Sequence, residues 1–284
     1  MVAGARRGGQ PLKGAYGSSP SGALRAYGPL TNMARMRIAV IADIHANLPA
    51  LLAVIDDIAR IDADAIYCVG DVVGRGPHPN ETVELLRGLE IPTIQGNWDE
   101  AVGMDREQTG AAWISNAAEA AGIASMRWTA ETMKEEHRSW LRQLPKTLRV
   151  NIADRSVQFF HGSPLRENEY LWSDRPSRVL ARIASDEADD LFCFGHTHEA
   201  FHRVVGQAHF VACGSVGCGT SGDARARYAV IYIGDPDMAI GFRSVDYDHT
   251  SVVRDLAAAG LSIDLLRIPP TPHPHMASEA RASV

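Results

Sequence analysis

Histidine, aspartate or asparagine ends an apolar run in five separate segments of this chain: Asp43-Ile44-His45, Gly70-Asp71, Gly96-Asn97, His161-Gly162 and Gly195-His196-Thr197-His198. Any one of them has an ordinary explanation. An Asp after a strand caps a helix, a Gly-Asn pair makes a turn, and a His beside apolar residues sits satisfied in a core. Five together point to metal ligation. Asp-x-His and His-x-His place alternate side chains on one face of an extended chain. The set of two Asp, one Asn and four His mixes nitrogen and oxygen donors, which suits Mn, Fe, Zn, Co or Ni. A calcium cage would be all oxygen. Seven donors exceed the needs of one tetrahedral zinc and suit two ions that share a bridging carboxylate.

The runs that lead into the early ligands read as strands at residues 37–42, 65–69 and 92–95. Between them, residues 48–61 and 80–89 carry helical spacing, with Leu51, Leu52, Val54, Ile55 and Ile58 on one face of the first. This alternation predicts a sheet with crossover helices, in which chemistry collects at the strand ends. Residues 100–145 read as an inserted helical layer. Beyond Pro145, strands at 148–152, 156–160, 191–194, 209–212, 229–233 and 240–245 are expected to form a second, more antiparallel sheet, closed by a helix at 251–260 with a glycine stop. The fold class is therefore α/β, of the α+β kind. Residues 1–35 and 269–284 lack periodicity and read as disordered tails, which leaves one domain over 36–268.

Composition narrows the function classes. A net charge of -6 over 284 residues argues against stable nucleic-acid binding, although a nucleotide can still be held through a metal. Four cysteines and no apolar h-region after Arg6-Arg7 suggest a cytoplasmic protein with reduced, buried thiols. Cys213-x4-Cys218 lacks the second pair of a metal clip. No apolar run approaches the roughly 18 residues that span a membrane. No Gly-x-Gly-x-x-Gly follows the first strand, against a dinucleotide binder. The oligomeric state, a homo-oligomer included, stays open.

In this order the five segments resemble the motifs of the calcineurin-like metallophosphoesterases, over a stretch from about residue 37 to residue 260. Residues 70–81 (GDVVGRGPHPNE), Gly214-Ser215-Val216-Gly217 and residues 222–228 (GDARARY) are similar to a bacterial and archaeal phosphodiesterase-like branch. The resemblance implies a four-layer αββα sandwich of two mixed β-sheets flanked by helices, with a dinuclear metal site at the strand ends. It implies that Asp43, His45, Asp71 and His198 hold one divalent ion and that Asp71, Asn97, His161 and His196 hold the other, with Asp71 as the bridge and Mn the first choice of metal. Arg75 matches a phosphate-contacting arginine of the phosphoprotein phosphatase relatives. The implied reaction is phosphodiester hydrolysis by a hydroxide bridging the two ions, on a phosphate-ester small molecule or nucleotide. A protein Ser/Thr or small-molecule phosphomonoesterase is the alternative.

A non-catalytic metal- or nucleotide-binding module is the second alternative, and it arises from Gly96-Asn97-Trp98-Asp99-Glu100. Much of the family carries a His after the Asn, as acid for the leaving group, and an indole N–H cannot serve as one. Trp98 is expected either to wall the substrate site, where a nucleoside base stacks, or to pack under the helical insert. Asp99 is a candidate to orient a base and His78 a candidate replacement acid.

Overall fold

The computed structural model describes residues 35–220, 222–234 and 238–268. The chain opens with β1 (Arg35–Ile41), α1 (Leu48–Arg60), β2 (Ala65–Cys68) and α2 (Pro79–Gly88). A helical layer follows, of α3 (Asn97–Gly103), α4 (Asn116–Thr132) and α5 (Glu135–Gln143). Then come β3 (Thr147–Ile152), β4 (Arg155–Phe160), α6 (Ser177–Glu187), β5 (Leu191–Phe194), β6 (Ala200–Val205), β7 (Ala208–Cys213) and the short β8 (Gly219–Thr220). β9 (Ala226–Gly234), β10 (Met238–Val245), α7 (His249–Ala258), a 3₁₀ turn (Ile263–Leu266) and β11 (Arg267–Ile268) complete it.

Strand periodicity builds the layers. In β1, Ile38 and Val40 point with Tyr67, Phe159, Cys193 and Val211 into the space between two sheets. Ala39 and Ile41 point the other way, onto Leu51, Val54 and Ile58 of α1. The second sheet alternates likewise. Its outward residues Phe160, Phe192, Phe194 and Phe210 cover Leu180 of α6. The result is the expected four-layer sandwich: helices, sheet, sheet, helix. Both sheets are buried on their two faces, and so their central strands read as near-continuous apolar runs. Asn47 begins α1 by accepting from the Ala50 N–H at 3.2 Å.

Strand pairing departs from the sequence expectation. The order in one sheet is β10-β9-β1-β2 and in the other β3-β4-β5-β7-β6. β9 and β10 therefore join the first sheet, where β9 runs antiparallel to β1. The second sheet is evenly mixed, with β4–β5 and β5–β7 parallel and β3–β4 and β6–β7 antiparallel. Residues 92–95 form no strand but one isolated bridge, Cys68 to Thr93, since Pro92 has no N–H to give a ladder. α6 and β6 went unread. One is polar with Leu180 alone buried, and the other is an edge strand with half-exposed alternation. Arg35, one residue before the expected boundary, pairs with Gly234. The expected tails, from residue 34 back and from 269 on, lie outside the described residues. Among the described residues no helix is long and apolar enough to cross a membrane.

One loop clasps the end of β1. The Val216 and Gly217 amides donate to the carbonyls of Ala42 and Asp43 at 3.0 and 2.9 Å. The Ser215 hydroxyl donates to the same Asp43 carbonyl at 2.9 Å. A Cβ on Gly217 would lie 1.8 Å from the Ile44 carbonyl oxygen, so only glycine permits this approach. Gly217→Ala is expected to destabilise the protein by about 1 to 3 kcal/mol through overpacking, read as a lower Tm in a thermal melt. An unchanged Tm would show that the clasp is soft.

Candidate metal centre

The ligand candidates converge because their turns share one backbone conformation. Asp43, His45, Asp71, His196 and His198 all have positive φ, between 49° and 66°. Asp and His tolerate the left-handed region better than most side chains, and such strain clusters where function demands it. The turns are cross-linked by amides: the Asp43 N–H donates to Gly70 O at 3.0 Å and the His45 N–H to Asp71 O at 2.9 Å. A Cβ on Gly96 would meet the Asp71 carboxylate at 2.2 Å, which explains the glycine before Asn97.

Both carboxylates are buried and held by backbone donors. The His196 N–H reaches both oxygens of Asp43, at 3.2 and 3.1 Å. The Trp98 N–H donates to Asp71 Oδ1 at 2.9 Å. The other Asp71 oxygen lies 3.3 Å from His161 Nε2 and 3.6 Å from His45 Nε2. His161 Nε2 is 3.1 Å from Asn97 Oδ1, and its Nδ1 is 2.8 Å from the Val69 carbonyl, which sets the tautomer. His45 and His198 bring their Nε2 atoms to 3.3 Å, and His198 Nε2 stands 3.4 Å from Asp43 Oδ1.

The structure thus brings all seven expected ligands together. Asp43, His45 and Asp71 form one group with donor atoms mutually within 4.8 Å, and Asp71, His161 and His196 form another. Asp71 belongs to both, the place expected of a bridge. The residues fit a pair of cations. Two neutral imidazoles face each other nitrogen to nitrogen, and His196 Nε2 and His198 Nδ1 are buried without a hydrogen-bond partner.

Titration follows from burial and proximity. Burial lowers His45 and His196 to about 3 and holds His198 well below its usual value, so these rings are neutral, as ligation requires. Burial, against the pull of His161 and with the repulsion of Asp71, raises Asp43 to about 8. Burial opposes the charge of His161, but the Asp71 carboxylate outweighs it and raises the imidazole to about 10. Asp71 is depressed despite burial, by the same partner.

The remaining expected residues separate. Asp99 is buried, with Oδ1 accepting from the Val72 and Val73 amides at 2.9 and 3.2 Å and Oδ2 from Gly96 at 3.0 Å. It ties the Asp71 turn to the Asn97 helix, with both oxygens engaged by backbone amides. His78 is paired with Asp255 of α7 at 3.1 Å and does not line the cleft beside the candidate ligands, which counts against it as the acid. Trp98 is 1% exposed. It packs with Met126, Met133 and Leu141 beneath the helical layer, gives its amide to Asp71 and sets its ring edge-on to His45 with centroids 5.6 Å apart. Of its two expected places, this is the packed one. Arg75 reaches the cleft, its guanidinium 5.2 Å from the Trp98 ring and 5.4 Å from that of Trp113.

Two neighbours, Tyr170 and Trp172, were not read from the sequence, and a third, Cys218, was considered there only as half of a Cys213–Cys218 clip. Tyr170 lies against His196 with ring centroids 4.0 Å apart and stacks on Trp172. Cys218 approaches His45 and His198. The aromatic pair sits in an aperiodic loop with no local signal. Cys218 directly follows Gly214-Ser215-Val216-Gly217, which was the available clue.

Residues 36–235 match the model of the calcineurin-like phosphoesterase superfamily domain. The chain belongs to the calcineurin-like phosphoesterase superfamily. An uncharacterized protein of Methanocaldococcus jannaschii, MJ0912, is 31% identical over 233 residues, 76% of this chain and 90% of that one. The crystal structure of a metallophosphoesterase from Sphaerobacter thermophilus shares 30% identity with a TM-score of 0.64, over 82% of this chain and 97% of the other. A hypothetical protein from Pyrococcus horikoshii, at 21% identity, shares the fold with a TM-score of 0.71, over 81% and 96%. Membership in a phosphoesterase superfamily agrees with the candidate metal ligands that the fold assembles.

Two outcomes are expected of this centre. In the metal-free protein near neutral pH, Asp43 and His161 both hold protons, since their values lie at about 8 and about 10. A cation must displace them, so metal affinity rises with pH up to those values and binding releases protons. Calorimetry in buffers of different ionisation enthalpy measures the release, and zero protons released would refute the assignment. Asp71→Asn keeps the acceptor for the Trp98 amide but removes the shared charge. Elemental analysis is expected to show less than the wild-type metal content, with the fold retained by circular dichroism.

Proposed function

We propose that this chain is a dinuclear-metal-dependent phosphodiesterase, acting on diesters that carry a planar group, nucleotides among them. The observation that carries the reading is a cleft of about 970 Å³ that reaches His196, His198 and Arg75 and is lined by Trp113, Tyr170, Trp172 and Tyr247. A volume of this size suits a small-molecule ligand. Its polar end lies at the metal ligands and its aromatic residues offer stacking surface to a base, worth about 1 to 3 kcal/mol.

In this reading Asp43, His45, Asp71 and His198 hold one ion and Asp71, Asn97, His161 and His196 the other. The bound pair supplies the Lewis acidity that phosphate-ester hydrolysis needs. Manganese is the first ion for reconstitution, since the donors mix imidazole with carboxylate. Arg75 presents a permanent positive charge to the phosphate. Its guanidinium lies near two indole rings and donates to the Leu265 carbonyl at 3.2 Å, which restricts where it can point. Tyr170 supports His196 by ring contact, while its hydroxyl accepts from the Ala112 amide at 3.1 Å and joins the cleft wall to the metal side. The four free, buried cysteines support a cytoplasmic setting.

None of the three residues considered replaces the missing histidine as acid: Trp98 is a core residue, His78 is paired with Asp255 and Asp99 is held by three backbone amides. That favours substrates with good leaving groups, and diester hydrolysis of such substrates over slow alkyl monoesters. It is also the observation that keeps the non-catalytic module in view. Metal-reconstituted protein is expected to hydrolyse aryl phosphodiesters with a steep dependence of log kcat on leaving-group pKa and to lose activity to a chelator. A panel with monoesters and a phosphopeptide separates the phosphatase alternatives. No turnover of any substrate by protein holding two metal ions would favour the binding module. Trp113→Ala is expected to raise KM for a dinucleotide about tenfold and to change KM for a small nitrophenyl diester by much less. Equal changes would remove Trp113 from base recognition.

A further inference from the structure

Cys218 lies outside the five ligand segments, yet its sulfur and one imidazole nitrogen each from His45 and His198 lie within 4.8 Å of one another. The residue is 2% exposed. Its position is built rather than incidental. The Cys218 amide donates to the Ser215 hydroxyl at 2.9 Å, and that hydroxyl donates at 2.9 Å to the carbonyl of Asp43. The clasp that holds the Asp43 turn therefore also places the thiol. Sγ makes one weak contact, to the Leu265 carbonyl at 3.7 Å. A second observation points to an ion here: the buried Nε2 of His198 faces that of His45 at 3.3 Å and Asp43 Oδ1 at 3.4 Å, so two imidazole nitrogens and a carboxylate oxygen converge on the space beside Cys218.

We propose that Cys218 is a ligand of the ion held by Asp43, His45, Asp71 and His198, as its single sulfur donor. The inference rests on the dinuclear-metal reading and extends it. As the sulfur–metal bond forms, the thiol proton passes to solvent and the sulfur binds as thiolate. The two positions then differ in kind. Asp71, Asn97, His161 and His196 offer nitrogen and oxygen alone, whereas the Cys218 position adds a soft donor that selects zinc or iron over manganese. A mixed pair follows, with a softer ion beside Cys218 and a harder one beside Asn97. Cys68, Cys193 and Cys213 are also buried, but among the described residues none of them joins a group of possible metal ligands.

The test is the absorption spectrum of the full chain reconstituted with cobalt(II). Wild type is expected to show a near-ultraviolet thiolate-to-cobalt charge-transfer band beside the visible d–d bands, and Cys218→Ser to lose the first and keep the second. In zinc–manganese competition followed by elemental analysis, the variant is expected to shift toward manganese by at least about tenfold. Wild type that binds two cobalt ions without the charge-transfer band overturns the role of Cys218 and leaves the phosphoesterase reading standing. A band that persists in Cys218→Ser overturns it as well. Protein that takes up no cobalt overturns both. The wild-type spectrum alone decides if the variant does not fold.

Discussion

Two carboxylates, Asp43 and Asp71, are buried side by side at the ends of neighbouring strands, and the rest of the structure is arranged around that fact. Buried like charges cannot both stay ionised without compensation. The metal-free chain meets this demand in part by protonating His161, which the Asp71 carboxylate raises to about 10. Asp43, pushed up to about 8 by burial, holds a proton instead. Such an arrangement is expensive for a folded protein and serves no packing purpose. It becomes favourable when divalent cations replace the protons.

The backbone supplies what the side chains cannot. Amides of His196, Trp98, Val72, Val73 and Gly96 point at Asp43, Asp71 and Asp99. They come from the turns after β2 and β5 and from the start of α3, so the facing of the sheets and the α3 helix together aim them. The left-handed backbone at Asp43, His45, Asp71, His196 and His198 lets each chain leave its strand sharply and expose both amide and side chain to the same point. Strain of about 1 to 3 kcal/mol per residue is tolerated because the cores on either side, between the sheets and under the helices, over-determine the turns.

The helical layer divides the labour around this centre. α3 begins at Asn97, so a ligand and the Asp71-binding amide of Trp98 both lie in its first turn. The Trp98 ring goes into the core with α4 and α5. Trp113, from the segment before α4, stands at the cleft and near Arg75. An aromatic ring does face the substrate side, but it belongs to a different tryptophan from the one beside Asn97.

The seven candidate ligands were legible in the sequence because ligation depends on side-chain type, and apolar runs ending in Asp, Asn or His announce themselves locally. The layers were legible because the motifs resemble those of a known family, while apolar periodicity marked most of the strands and helices that build them. Strand partners were not: an apolar run such as 229–233 states that it is buried, and only packing decides that it lies against β1 instead of β7. The fate of Trp98 was equally undecidable, since an indole suits a core and a cleft alike. Tyr170, Trp113 and Cys218 had no periodic neighbours to mark them. The sequence by itself determined the donor chemistry and, through the resemblance its motifs carry, the four-layer architecture. Tertiary structure alone decided distances and neighbours, because those depend on contacts such as His45 to His198, 153 residues apart along the chain, which no local pattern encodes.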